Sequence, residues 1–213
     1  MNRRDKENYY LDIAQAVAGR GTCLRRNFGA IIVKNDQILA TGYTGAPRGR
    51  KNCSDLGFCL REKMNIPRGE RYELCRSVHA EANAIISAAR TEMIGATLYL
   101  VGRDAKSGEL VPDANSCSMC KRMIINAGIT RVVVGSGDPN PLVAGQGLAQ
   151  LRAQGVQVTE GVLAEECRAL NHVFFHYIQT GRPYVVLKYA MTLDGKLAAY
   201  TGASQWITGE DAR

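Results

Sequence analysis

Residues 115–135 read "NSCSMCKRMIINAGITRVVVG". Cys117 and Cys120 stand three apart at the head of a helical run that closes at Gly128, and "TRVVVG" follows as a β-branched strand. Immediately upstream, "HAEANAIISAAR" (79–90) reads as a helix and "ATLYLVGR" (96–103) as a strand. Earlier still, "FGAIIVKNDQILATGY" (28–43) reads as two strands turning at Asn35-Asp36, a hairpin, preceded by a helix over "NYYLDIAQAVAGRG" (8–21). A hairpin followed by alternating helices and strands predicts an α/β domain, with a mixed central sheet between layers of helices.

Residues 44–76 break the pattern: they carry Pro47, Pro67 and three cysteines in a basic stretch, and read as a long loop or inserted subdomain. Beyond Gly135 the turn-rich "SGDPNPLVAGQG" leads to a helix near 148–154, a strand "VQVTEGV" (156–162) and a helix over 163–181. "RPYVVLKYAMTLDGKLA" (182–198) then reads as a new strand entering a turn. Only 32 residues follow Gly181, too few for a core of their own.

The 213-residue chain is 46% hydrophobic, enough for one good core, and this excludes a disordered chain. Its formal charge of +7 favours an anionic partner: a nucleotide phosphate, a nucleic acid or an acidic membrane surface. No apolar run approaches the roughly 20 residues that span a bilayer, and "MNRRDKENYY" lacks the apolar stretch of a signal peptide. A cytoplasmic location without a membrane partner is expected. In a reducing compartment, seven cysteines point to metal ligands or buried thiols rather than disulfides.

The CxxC pair by itself serves redox, structural-zinc and catalytic-zinc chemistry, so its partners decide. His172 and His176 sit four apart but are flanked by Val173, Phe174 and Phe175, which assigns them to packing or solvent. His79 opens a helix with Glu81 two positions on. Together His79, Cys117 and Cys120 supply the three nitrogen and sulfur ligands of a zinc ion that keeps one position open for water. A carboxylate at Glu81, not itself a ligand, can take a proton from that water and return it to a leaving amine. The alternative, a capping Glu81, a core His79 and a redox cysteine pair, needs three coincidences.

The pattern HAE followed by CxxC resembles the zinc deaminases of the cytidine and deoxycytidylate deaminase superfamily. This resemblance implies a cytidine-deaminase-like three-layer α/β/α fold. It also implies catalytic zinc on His79, Cys117 and Cys120, and Glu81 as proton shuttle. The superfamily's proline before the first cysteine is Ser116 here, a residue able to cap the helix. "GTCLRRNFGAIIVKND", "TGYTGAPRGRKNC", "HAEANAI" and "CSMCKRMIINAGI" resemble the deoxycytidylate branch, which implies conversion of dCMP to dUMP with loss of ammonia. Thr44 stands where that branch commonly has the Asn of a GYNG segment at the sugar, a departure that weakens the transfer of that contact, and Arg48, with Arg50 and Lys51, could bind the 5′-phosphate. Some members of that branch bind a second, structural zinc through cysteines at the places of Cys23 and Cys53, and Cys59 and Cys75 could complete such a site over the pocket.

From Gly135 onward the likeness changes. "RPYVVLKYAMTLDGKLA" and "GASQWITGEDAR" resemble the start of the reductase domain of the bifunctional riboflavin-biosynthesis deaminase/reductase, with the seam near 131–138. There Ala190 and Trp206 would touch NADP and Ser204 the ribosylated pyrimidine. NADP is expected only with a complete reductase domain, and no reductase activity from this chain. The division expected is a deaminase domain over 1–160, a connecting helix over 161–181 and an incomplete reductase-like segment over 182–213. The resemblances place dCMP first as substrate, the diaminohydroxyphosphoribosylaminopyrimidine of riboflavin synthesis second and adenosine in tRNA third. They imply a small nucleotide partner in place of nucleic acid, and a homo-oligomer.

Overall fold

In the computed structural model, residues 3–67, 70–111, 114–135, 146–162, 172–204 and 211 are described. Helix α1 (Lys6–Ala18) starts where the Asp5 carboxylate accepts from the Asn8 backbone N–H, so a side chain satisfies one of the first turn's free donors. Strands β1 (Arg26–Lys34) and β2 (Gln37–Tyr43) form the expected hairpin. Asn35 and Asp36 adopt φ of 52° and 62°, the left-handed pair that a tight two-residue turn requires. Two short helices, α2 (Cys53–Leu56) and α3 (Leu60–Lys63), and a 3-10 turn (Tyr72–Leu74) lie in the insertion.

The helix expected over 79–90 is divided into α4 (Ala80–Ile85) and α5 (Arg90–Met93). Ser87 Oγ donates to the Asn83 carbonyl at 2.7 Å and so competes for the acceptor that a continuing α-helix would use. Then follow β3 (Thr97–Asp104), α6 (Ser118–Ala127), β4 (Arg131–Val134), α7 (Gln146–Ala153), β5 (Gln157–Thr159) and α8 (His172–Thr180).

The five strands lie in the order β2-β1-β3-β4-β5, with β1 antiparallel to both neighbours and β3, β4 and β5 parallel. Alternation along the strands makes two cores. Ile31, Val33, Tyr99, Val101 and Val133 meet Tyr10, Leu11 and Ala14 of α1 on one face. Ala30, Ile32, Leu98, Leu100, Val132 and Val134 meet Ala80, Ala84, Ile124, Leu148 and Leu151 of α4, α6 and α7 on the other. The three layers are thus α1, the sheet, and α4 with α6 and α7.

Two glycines set how closely helices approach. A Cβ on Gly29 would fall within 3.0 Å of the backbone of Ala14 and Ala18 in α1, and one on Gly42 within 3.0 Å of the backbone of Ala80, Asn83 and Ala84 in α4. Because β2 and β3 both run antiparallel to β1, the chain leaves them at the same end of the sheet. The helices that follow, α4 and α6, therefore begin side by side.

The strand expected from Arg182 onward is absent: residues 183–191 form neither helix nor strand, and Val185 and Leu187 are each 80% exposed. Strand propensity alone does not make a strand, which needs a neighbour to take its backbone hydrogen bonds. Of the helix expected over 163–181, residues 163–171 lie outside the described residues.

Candidate active site

His79 is the N-cap of α4 and Cys117 the N-cap of α6, so both side chains stand at helix N-termini, where positive potential favours a thiolate. The Cys117 sulfur also accepts from the backbone N–H of Cys120 at 3.5 Å. His79 Nδ1 lies 3.3 Å from Cys117 Sγ and 3.6 Å from Cys120 Sγ. Among the described residues, these form the group of His, Cys, Asp and Glu side chains whose donor atoms come within 4.8 Å of one another. Tetrahedral zinc with ordinary Zn–N and Zn–S bonds separates such a nitrogen and sulfur by about 3.6 Å, so the donor set fits the ion in both chemistry and spacing.

The protonation of the site reflects that convergence. Cys117 is held down to about 4, first by its hydrogen bond with Cys120 and then, against burial, by His79. Burial pulls the His79 imidazole down, but hydrogen bonding with Cys117 and Cys75 outweighs it and carries the ring up to about 11. Cys120 is pushed up by its bond to Cys117 and by burial. Three lone pairs aimed at one point share protons strongly, and a divalent ion takes over such a set with proton release.

Glu81 is 4% exposed, in the first turn of α4. Burial pushes its carboxyl up, opposed by the charge on His79 and by nearby Ser116. Ser116 does not cap α6, because Cys117 occupies that position; its buried Oγ instead faces Glu81 without completing a hydrogen bond. The sequence marked Ser116 as a replaced proline and a candidate cap. Its place beside Glu81 is visible only once α4 and α6 are packed together.

Other expected positions are arranged differently. Thr44 is buried, and its Oγ1 accepts from the Phe28 backbone N–H at 3.1 Å. Arg48 is exposed in the turn after Pro47. Cys23, Cys59 and Cys75 are near enough to act on the charge of Cys53, yet no three of the four bring their sulfurs within ligand distance. The buried Cys53 thiol instead meets Ser77 Oγ at 3.6 Å, while Cys75 interacts with His79. About one zinc per chain is the expected result of metal analysis of the purified protein, and two would show that the cysteines close around a second ion.

His172 and His176 pack edge-on against Tyr184, with ring centroids 5.0 and 5.5 Å apart, and join no metal group among the described residues. Ala190 and Ser204 are exposed in a segment without helix or strand and offer no enclosed dinucleotide site among the described residues. Trp206 lies outside the described residues. No helix among them is long and apolar enough to cross a membrane.

The family model described as the cytidine and deoxycytidylate deaminase zinc-binding region matches residues 4–136, and that of the RibD C-terminal domain matches residues 183–213. The riboflavin biosynthesis protein RibD of Actinobacillus pleuropneumoniae is 43% identical over 185 residues, covering 87% of this chain and 40% of that protein. The deoxycytidylate deaminase of Mycobacterium phage D29 is 38% identical over 138 residues, covering 62% of this chain and 96% of that protein. The solved structure of Acinetobacter baumannii RibD, form 1, is 32% identical with a TM-score of 0.52, over 97% of this chain and 49% of that one. The chain spans about half the length, or less, of the RibD proteins it matches. With the family model covering most of its length and the His/Cys/Cys group in place, the chain belongs to the zinc-binding cytidine and deoxycytidylate deaminase family, joined to a segment of the RibD C-terminal type.

Proposed function

We propose that this chain is a zinc-dependent hydrolase that deaminates the diaminohydroxyphosphoribosylaminopyrimidine intermediate of riboflavin synthesis. The observation that carries this reading is the unbroken likeness to RibD, which runs through the seam near 131–138 instead of stopping there. In this proposal His79, Cys117 and Cys120 hold zinc, which supplies the Lewis acidity that makes water a nucleophile near neutral pH. Glu81 takes a proton from the water as its oxygen bonds to the amidine carbon. It passes that proton to the ring nitrogen of the amidine, whose double bond to the attacked carbon opens, and then carries the remaining hydroxyl proton to the amine, which leaves as ammonia while the carbon becomes a carbonyl. The net charge of +7 suits a phosphorylated substrate.

Deamination of dCMP is the second reading. It is favoured by the two-residue gap between Cys117 and Cys120, by the insertion over 44–76, and by the likeness to a deoxycytidylate deaminase along nearly that protein's whole length. The order of the two substrates is thus the reverse of that expected from the sequence. Ammonia release from both, measured with one zinc-loaded preparation, distinguishes them. A kcat/KM at least about tenfold higher on the riboflavin intermediate is expected. A preference of that size for dCMP would establish the second reading instead.

A further inference from the structure

The insertion between β2 and α4 reaches the metal-ligand group through a stack of side chains. Tyr72, in the 3-10 turn, sets its ring edge-to-face with His79, with centroids 5.2 Å apart and planes at 86°. The Arg61 guanidinium lies over the Tyr72 ring, with Cζ 4.4 Å from the centroid. Arg61 itself is only 5% exposed. Its terminal NH2 group donates to the Pro67 carbonyl at 2.9 Å and also to the Glu70 carbonyl, while its buried Nε makes no hydrogen bond.

A buried guanidinium is costly unless its charge is met, and here two carbonyl oxygens and an aromatic face meet it. Swinging Tyr72 away would therefore uncover a buried charge, and this holds the tyrosine ring in place. A tyrosine so held limits how the imidazole beside it can turn. The angle of that imidazole is what aims Nδ1 at both sulfurs, 3.3 and 3.6 Å away. Groups that orient a metal-binding histidine from outside the ligand shell commonly alter metal affinity 10- to 100-fold when removed.

We propose that Tyr72, clamped by Arg61, is a positioning residue for His79, through which the insertion sets zinc affinity. The proposal rests on His79 being a zinc ligand and is independent of which base is deaminated. Zinc affinity by chelator competition, and the visible absorption of the cobalt(II)-loaded protein, are to be measured without substrate for wild type, Tyr72→Leu, Tyr72→Phe and Arg61→Met.

Tyr72→Leu should weaken zinc about tenfold and alter the cobalt spectrum. Tyr72→Phe, which keeps the ring, should retain both properties. Arg61→Met, which removes the clamp, should shift both in the direction of Tyr72→Leu. A folded Tyr72→Leu protein with wild-type affinity and spectrum would overturn the proposal, as would a Tyr72→Phe protein that loses as much as Tyr72→Leu. If circular dichroism shows that Tyr72→Leu does not fold, Arg61→Met decides by the same criteria. If that too is unfolded, Arg61→Lys decides, because it keeps the charge but gives up the planar stack. Glu81→Gln should keep wild-type zinc affinity, so failure of the deaminase reading is separable from failure of this one.

Discussion

Glu81→Gln is expected to lower the rate of deamination by about 10³-fold while the protein keeps its zinc and its fold. The substitution retains the volume of a side chain that is 4% exposed, and Gln can still accept and donate hydrogen bonds beside Ser116. What it gives up, in the proposed mechanism, is the ability to take a proton from water and pass it to the leaving amine. Glu81 lies outside the convergent His79, Cys117 and Cys120 group, so metal content should not fall. Steady-state ammonia release and zinc analysis on the same preparation check this. Activity within about tenfold of wild type would remove Glu81 from the chemistry.

The second large effect is expected at the sheet. Gly42→Ala should destabilise the protein by about 2–3 kcal/mol, measured by denaturant unfolding, because the added Cβ meets backbone atoms of α4 that cannot rotate away. Relief requires α4 to lift from β2, and α4 carries His79 at its N-terminus. Zinc affinity should therefore fall together with stability. Gly29→Ala provides the internal comparison. Its Cβ meets the backbone of α1 equally closely, but α1 packs on the opposite face of the sheet from the ligands. A similar stability loss with zinc affinity retained is the expected result for Gly29→Ala. Equal loss of zinc affinity in both variants would show that general loosening, not displacement of α4, disturbs the site.

The hairpin at Asn35-Asp36, the helix starts at His79 and Cys117 and the mixed sheet were legible in the sequence. Each depends on local chemistry: a turn that favours left-handed residues, an interruption of apolar periodicity, a β-branched run. The division of the 79–90 helix was not legible, since it depends on a rotamer of Ser87 that finds the Asn83 carbonyl. The strand after Arg182 was misread for the opposite reason: its composition is strand-like, but pairing is supplied by a neighbour and not by composition.

The sequence by itself determined the ligand types, their order and the carboxylate two residues from the histidine, because zinc chemistry selects residue types that can be named without coordinates. Tertiary structure alone decided that His79 and Cys117, 38 positions apart, face each other at 3.3 Å, since that distance follows from two helices that begin at one end of a sheet, with α4 drawn close to β2 at Gly42. It alone placed Ser116 beside Glu81 and stacked Arg61 on Tyr72 against His79. Such contacts join residues from separate segments and leave no periodicity or spacing to read. They arise from packing, where backbone approach and side-chain volume act together.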